Sequence, residues 1–128
     1  MDSQTLVHHV TVECSDVQKA DIFYSMVLGI PKVKSTLLSS ELCSQIFQVN
    51  HSMQMETYDN GKMRVEVFIT PEHVVASFVH IGIAVDRKAD FIARCKQHSL
   101  APFFVQKNGK QLLFVRDFCG NLFEVVEQ

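Results

Sequence analysis

Tryptophan is absent from the sequence, and no run of apolar residues is long. No stretch approaches the roughly 20 apolar residues of a membrane-spanning helix, so we expect no membrane segment. Residues 1–5 lack the basic region and the apolar stretch of a secretory signal peptide. These absences predict a cytoplasmic protein with no membrane partner. Without tryptophan, the aromatic content is mainly ten phenylalanines, which we interpret as core residues rather than as a binding platform.

An excess of charge of one sign is also missing. The chain has 12 lysines and arginines against 14 aspartates and glutamates, a net charge of −2 and a pI near 6.3. Nucleic acids and anionic membranes select basic surfaces, so we expect neither as a partner.

The sequence has no closely spaced pair of cysteines. Cys14, Cys43, Cys95 and Cys119 are far apart along the chain, and no CxxC motif is present. In a chain without a secretion signal, this pattern predicts reduced thiols in a cytosolic protein. The same spacing argues against a metal site built from thiolates.

What the chain does contain is an ordinary globular balance. It has 128 residues, of which 47% are hydrophobic and 20% charged, enough for one domain with a core. The first half begins with an alternating strand over residues 7–13 and a helix that Ser15 or Asp16 caps and Gly29 ends. Further elements are predicted as a strand over 32–38, a short helical turn over 39–47, and strands over 53–58 and 62–70 around Asp59-Asn60-Gly61.

The order of elements then begins again after a predicted linker at residues 71–77. The second half has a strand over 79–85, a helix from Asp86 to about Ser99, a hairpin and a closing strand. The hairpin is predicted over residues 102–106 and 111–116, and the closing strand over 121–127. The chain is therefore predicted as one domain, residues 1–128, made of two β-α-β-β-β modules at about 5–70 and 78–128.

The repeat places ionisable residues on the sheet faces that the helices leave uncovered. In each half, the apolar stripe of the helix covers one face of the sheet. That face carries Val10 and Val12 in the first half, and Ile81 and Ile83 in the second. His9 and His80 therefore point to the uncovered face of their own sheet. Alternation places Glu124 opposite Phe123 and Val125, and Glu66 opposite Val65 and Val67. Imidazole with carboxylate suits a divalent Zn, Ni, Fe, Mn or Co ion, and three protein ligands leave positions open for substrate. Thr11 and Glu13 share the face of His9 and either line the pocket or form plain sheet wall.

Each of these residues also has an ordinary structural interpretation. Glu124 could be a buried partner of Arg64 or Arg116, and Glu66 could pair with Lys62 or with a solvated arginine. His8 is interpreted as a structural residue on the helix side or the rim. The repeat of a histidine at the first strand of each half, followed by a glutamate on a later strand, favours the metal site.

These residues carry a resemblance to a known family. The run His9-Val-Thr-Val, then Asp16, then Ala20-x-x-Phe23-Tyr24-x-x-x-Leu28-Gly29 matches the opening segment of the glyoxalase, bleomycin-resistance and extradiol-dioxygenase group, the vicinal oxygen chelate superfamily. Asp117-x-x-Gly120-Asn121-x-x-Glu124 resembles its closing segment, with Phe118 where a proline is usual. The resemblance covers essentially the whole chain.

The resemblance implies an α+β fold in which two βαβββ modules form an eight-stranded half-open barrel around a divalent metal, with the helices outside. It implies His9, His80 and Glu124 as ligands. Glu66 matches a fourth ligand only approximately, because it lies five residues after Gly61 whereas Glu124 lies four after Gly120. A homodimer is implied as well, with sites that are shared between chains in some members.

The function that the resemblance implies is a metal-dependent glyoxalase-type lyase, or an isomerase or epimerase. Such an enzyme acts on a small α-oxo or α-hydroxy carbonyl substrate through a metal-chelated enediolate, with Glu66 or Glu124 as the base. With three ligands, the alternative is an Fe(II) extradiol-type dioxygenase. Thiol transfer to fosfomycin is disfavoured. It needs basic residues near the site and often a C-terminal tail, whereas this sequence ends four residues after Glu124. The remaining alternative is a non-catalytic drug-binding protein of the same fold, a subgroup that lacks the ligands.

Overall fold

The computed structural model of the chain describes residues 6–70 and 79–128, and the predicted linker lies outside these ranges. The first half contains β1 (Val10–Cys14), α1 (Val17–Ala20) continuing as π-helical turns (Asp21–Val27), β2 (Lys32–Leu38), α2 (Ser40–Phe47), β3 (Met53–Asp59) and β4 (Arg64–Ile69). The second half contains β5 (His80–Val85), α3 (Lys88–Gln97), β6 (Phe103–Lys107), β7 (Lys110–Arg116) and β8 (Leu122–Glu127).

The strands of each half form one four-stranded mixed sheet. The order is β1-β4-β3-β2 in the first sheet and β5-β8-β7-β6 in the second. In both, the first and last strands of the half pair in parallel and the other neighbours pair antiparallel. The predicted α+β class is confirmed, and the two sheets are not closed onto each other. No helix among the described residues is long and apolar enough to cross a membrane.

The first helix follows the sequence prediction closely. Asp16 is its N-cap, and the carboxylate accepts a hydrogen bond from the amide of Gln18 at 2.7 Å. The predicted apolar stripe is buried, with Phe23 and Tyr24 at its centre. Gly29 ends the helix with a φ of +74°, a left-handed conformation that glycine adopts without strain.

Three boundaries differ from the prediction. The N-cap of α3 is Arg87, not Asp86, whose carboxylate instead accepts a hydrogen bond from the side chain of Gln128 at 2.8 Å. The helix ends at Gln97, because Ser99 has a φ of +65°. His9 precedes β1 by one residue, since the parallel pairing with β4 begins at Val10.

Both halves pack into one apolar cluster. The rings of Phe23, from the first half, and Phe123, from the second, have centroids 5.2 Å apart. The cluster also includes Val65 and Val67 of β4 and Val125 of β8. It therefore lies against the helix-covered faces of both sheets.

A fully buried carboxylate at position 56 was not anticipated from the sequence. Glu56 accepts hydrogen bonds from Lys32 at 2.8 Å, from Gln54 at 2.9 Å and from the hydroxyl of Ser35. Burial alone raises the pKa of Glu56, but these hydrogen bonds outweigh it and hold the pKa below its usual range. Lys32 also contacts Asp21 at 2.8 Å, so this ion cluster ties the first helix to β2 and β3.

Candidate metal centre

The parallel strand pairs place a histidine and a glutamate at matching positions in both sheets. Glu66 of β4 is the register partner of Thr11, and Glu124 of β8 is the register partner of Gly82. Each histidine, His9 or His80, lies two residues before that partner and so on the same face as the glutamate. The two glutamates are therefore equivalent in the repeat, although the turn before Glu66 is one residue longer.

Each histidine approaches its glutamate closely. His9 Nε2 lies 3.4 Å from Glu66 Oε1, and His80 Nε2 lies 3.7 Å from Glu124 Oε1. Zinc binds imidazole nitrogen and carboxylate oxygen at about 2.0–2.2 Å, so two neighbouring ligands of one ion lie about 3.0–3.4 Å apart. Both pairs consequently have the donor types and nearly the spacing of two ligands on the same divalent ion.

The ring of His9 is fixed from its other side. Its Nδ1 lies 2.9 Å from Nδ1 of His8, and the two rings meet edge to face with centroids 5.1 Å apart. A hydrogen bond on one ring nitrogen orients the other nitrogen for ligation. His8, which is exposed, therefore supports the orientation of His9.

Charged side chains also hold Glu66 in place. Arg64 Nε lies 3.6 Å from Glu66 Oε2, and Arg64 donates a 3.0 Å hydrogen bond to Asp59. The pKa of Asp59 is lowered because the amide of Gly61 donates to it, and Arg64 adds to this effect. Of the two structural alternatives for Glu66, lysine or arginine, the described residues show the ion pair with an arginine, Arg64.

Two buried polar atoms beside Glu66 have no hydrogen-bond partner among the described residues. They are Thr57 Oγ1 and Arg64 Nε. Thr57 is the register partner of Glu66 and shares its face, and Arg64 lies two residues before it on that face. Buried polar groups are normally satisfied, so these atoms indicate that an additional polar group belongs beside Glu66.

The described chain does not bring the two His–Glu pairs together. Within residues 6–70 and 79–128, no three His, Cys, Asp or Glu side chains lie close enough to hold one metal ion. The reason lies in the fold, because both pairs occupy the sheet faces opposite the shared core. Each chain therefore presents two half-sites of two donors each.

The face of His9 continues into a cavity of about 210 Å³. Thr11 and Glu13, for which the sequence left pocket lining and plain sheet wall open, both line this cavity. Phe68 of the neighbouring strand β4 and Thr70, which directly follows β4, line it as well. Phe47 of α2 forms one wall. Phe68 and Thr70 lie on the same sheet face as Glu66, because side chains alternate along β4. This placement can be read from the sequence.

Comparisons with known proteins identify the fold. No family model matches the sequence, and no curated protein sequence matches it. A glyoxalase family protein from Bacillus cereus is 16% identical with a TM-score of 0.75, covering 99% of this chain and 97% of that one. The fosfomycin resistance protein FosX from Listeria monocytogenes is 13% identical with a TM-score of 0.75, covering 97% and 92%. The chain has the glyoxalase-like fold.

Other structures with the glyoxalase-like fold hold metal and small molecules. A variant of the Listeria FosX protein was solved with Mn(II) and 1S,2S-dihydroxypropylphosphonic acid; it is 12% identical to this chain, with a TM-score of 0.72, covering 97% and 90%. These matches confirm the predicted glyoxalase-like fold. A divalent metal is compatible with this fold and with the His–Glu pairs.

Proposed function

We propose that this protein is a metal-dependent lyase, or an isomerase or epimerase, of the glyoxalase type. Its substrate is a small α-oxo or α-hydroxy carbonyl compound. The observation that carries the proposal is the duplicated pair, His9 with Glu66 and His80 with Glu124, at equivalent positions on the uncovered sheet faces. Four ligands of this kind favour glyoxalase-type chemistry over the three-ligand Fe(II) dioxygenase.

The complete site is formed between two copies of the chain. His9 and Glu66 of one copy face His80 and Glu124 of the other, because the described residues of each copy bring two such donors together at each half-site. Exposed large apolar residues support a homodimer, since such patches mark interfaces. They lie mainly on β2, α2 and β6, and include Leu37, Ile46 and Phe104. The proposal retains the predicted cytoplasmic location.

The two glutamates have different roles in this proposal. A divalent ion bound by these residues supplies Lewis-acid stabilisation of the negative charge that develops on the substrate oxygens. Arg64, whose Nε lies 3.6 Å from Glu66 Oε2, holds the Glu66 side chain in place as a ligand. Among the described residues, Glu124 pairs with His80 and with no arginine or lysine, so it is the carboxylate that takes the proton from the carbon beside the carbonyl. With an α-hydroxy carbonyl substrate, Glu124 returns this proton to the former carbonyl carbon while the hydroxyl proton moves to the former carbonyl oxygen, which completes an isomerisation.

Fosfomycin modification is a second candidate, because FosX proteins are among the structures with this fold. The phosphonate of fosfomycin is an anion that requires basic side chains. The described residues lining the cavity beside His9 include no lysine, arginine or histidine and one carboxylate, Glu13. We therefore rank fosfomycin below an uncharged carbonyl substrate.

Metal binding tests the proposal directly. The protein, purified without a histidine tag, is titrated with Zn(II), Ni(II) and Mn(II) by calorimetry, and its metal content is measured after dialysis. We expect one ion per chain in the wild type and a loss of affinity of about 100-fold or more for His9→Ala or His80→Ala, since each removes a direct ligand. Glu124→Gln is expected to abolish the exchange of deuterium from solvent into an α-hydroxy carbonyl substrate at the carbon beside its carbonyl group. Glu66→Gln is expected to weaken metal binding.

Two control variants keep the result specific to the site. His51→Ala removes an exposed histidine and Glu41→Gln an exposed carboxylate, and neither residue belongs to the His–Glu pairs. Both should bind metal as the wild type does. A wild type that binds no divalent ion, or a His80→Ala variant that binds it unchanged, would contradict the proposed site.

A further inference from the structure

The cavity beside His9 begins where the metal half-site ends. Thr11 and Glu13 follow His9 at alternate positions, and Phe68 and Thr70 follow Glu66 in the same way. Residues two apart on one strand face are separated by about 7 Å, so the cavity opens roughly one residue step from the ligand pair. A substrate whose carbonyl end lies at the half-site would extend directly into it.

The walls of this cavity are mainly apolar. Phe47 of α2 and Phe68 of β4 meet edge to face, with ring centroids 5.2 Å apart and planes at 74°. Cys43 and Met53 add sulfur-containing side chains to the lining, and Val49 completes the α2 side. Aromatic and sulfur groups of this kind contact a further aromatic ring favourably.

Volume and charge restrict what fits. The cavity measures about 210 Å³, whereas an apolar cavity of about 150 Å³ already takes up benzene. A methyl group would leave most of the space unfilled, and an unfilled apolar wall forfeits its contacts. Glu13 is the one charged residue among the described lining residues, so a second anionic group is disfavoured there.

We propose that the substrate carries an aromatic ring, or a hydrocarbon group of similar size, next to its α-oxo or α-hydroxy carbonyl group. The ring lies against Phe47 and Phe68 in the cavity, while the carbonyl end lies at His9 and Glu66. This inference rests on the proposed function for the position of the carbonyl end. It assigns the role of selecting the substrate to α2, the helix that the first half has and the second half lacks among the described elements.

Phenylglyoxylate and pyruvate are suitable probes, since both are α-oxo acids and differ only in a phenyl against a methyl group. Their dissociation constants are measured by calorimetry on metal-loaded and on metal-free protein. We expect the wild type to prefer phenylglyoxylate by about tenfold or more, because the ring buries apolar surface. Phe47→Ala should reduce this preference by roughly 2- to 10-fold, the usual range for one aromatic contact.

A matched control lies on the same helix. Gln45→Ala removes an exposed side chain that does not line the cavity, and it should leave the preference unchanged. Val49→Phe fills the cavity from the α2 side and should weaken phenylglyoxylate binding with little effect on pyruvate. Magnetisation transfer from the phenyl protons to Phe47 and Phe68 would locate the ring directly.

The outcomes separate this inference from the proposed function. Equal affinity for the two acids in a protein that binds metal would overturn the inference and leave the function standing. A protein that binds no metal but keeps the Phe47-dependent preference for phenylglyoxylate would support the cavity assignment and refute the function. Tighter binding of fosfomycin than of phenylglyoxylate, or a Phe47→Ala change in oligomeric state without a change in preference, would also overturn the inference.

Discussion

At the scale of single residues, Asp117 connects the two halves of the chain. Its carboxylate, which is almost fully buried, accepts a 2.9 Å hydrogen bond from the hydroxyl of Tyr24 in the first half. It also accepts bonds from the amides of Cys119 and Asn121 and from the side chain of Asn121, at 2.8–2.9 Å. The turn that leads into β8, and so positions Glu124, depends on this one side chain.

Removing the carboxylate of Asp117 should cost far more stability than removing the hydroxyl of its partner Tyr24. Asp117→Ala leaves several buried donors without an acceptor, each costing about 1–3 kcal/mol, so we expect a loss of about 3 kcal/mol or more. Tyr24→Phe deletes one hydrogen bond, keeps the ring in the core and should cost about 1 kcal/mol. Urea unfolding followed by circular dichroism measures both values.

Asp86→Ala provides the comparison for this experiment. Asp86 is exposed and accepts a single hydrogen bond from Gln128, so its removal should change stability by less than about 0.5 kcal/mol. Equal costs for the three substitutions would show that the turn does not depend on Asp117.

Residue-level prediction succeeded where a periodic pattern constrained the side chain. Alternation placed Glu66 and Glu124 on the uncovered faces, and the coordinates agree. The uneven spacing from Gly61 and Gly120 left the equivalence of the two glutamates open, because turn length does not fix strand register. Glu56 was missed for a different reason. Its partner Lys32 is on another strand, and only the fold brings the two together.

At the scale of elements, the same dipeptide makes two different turns. Asn108 and Gly109 both have positive φ angles, of 52° and 77°, and form the two-residue link between β6 and β7. Asn60 begins the longer link between β3 and β4, where its side-chain oxygen accepts bonds from the amides of Lys62 and Met63. Asparagine therefore supplies a left-handed backbone in one turn and a hydrogen-bond acceptor in the other.

Replacing each asparagine by glycine should separate these roles. Asn108→Gly preserves access to positive φ and should change stability by less than about 0.5 kcal/mol. Asn60→Gly removes the side-chain oxygen that accepts two hydrogen bonds from backbone amides, so it should cost about 1–2 kcal/mol. Urea unfolding of the two variants measures the difference, and a larger cost at position 108 would contradict this account of the turns.

Most elements were predicted from hydrophobic periodicity, and the boundaries were less accurate than the elements. The strand over 32–38 agrees with β2, and the Ser39 region forms a helix as expected, with Ser39 as its N-cap. The helix start at Asp86 was wrong by one residue, since capping residues compete for several partners and Asp86 contacts Gln128 instead. Periodicity does not report such competition.

At the scale of the whole molecule, the shared core determines where a site can form. Val65 and Val67 flank Glu66 and belong to the core, and Phe123 and Val125 do the same for Glu124. Because neighbouring residues of a strand point to opposite faces, both glutamates point away from the contact between the halves. The sequence repeat predicted two sets of ligands, but it contained no information on whether they meet within one chain or between two.

Mixing two defective variants distinguishes these arrangements. His9→Ala and His80→Ala protein are each expected to lose high-affinity metal binding as homodimers. In a mixed dimer with sites shared between chains, one site combines both defects and the other is intact. Unfolding and refolding the two variants together should therefore restore one tightly bound ion per mixed dimer, and about half of the dimers are mixed when the chains associate at random.

The restored ion also has to depend on both glutamates of the intact site. That site contains Glu66 of the chain with the intact His9, and Glu124 of the chain with the intact His80. Adding Glu124→Gln to the His9→Ala chain, whose own His80 belongs to the restored site, should therefore weaken the restored binding. Adding it to the His80→Ala chain should have no effect. If each site instead lay within one chain, mixing would restore nothing, since every chain would carry its own defect.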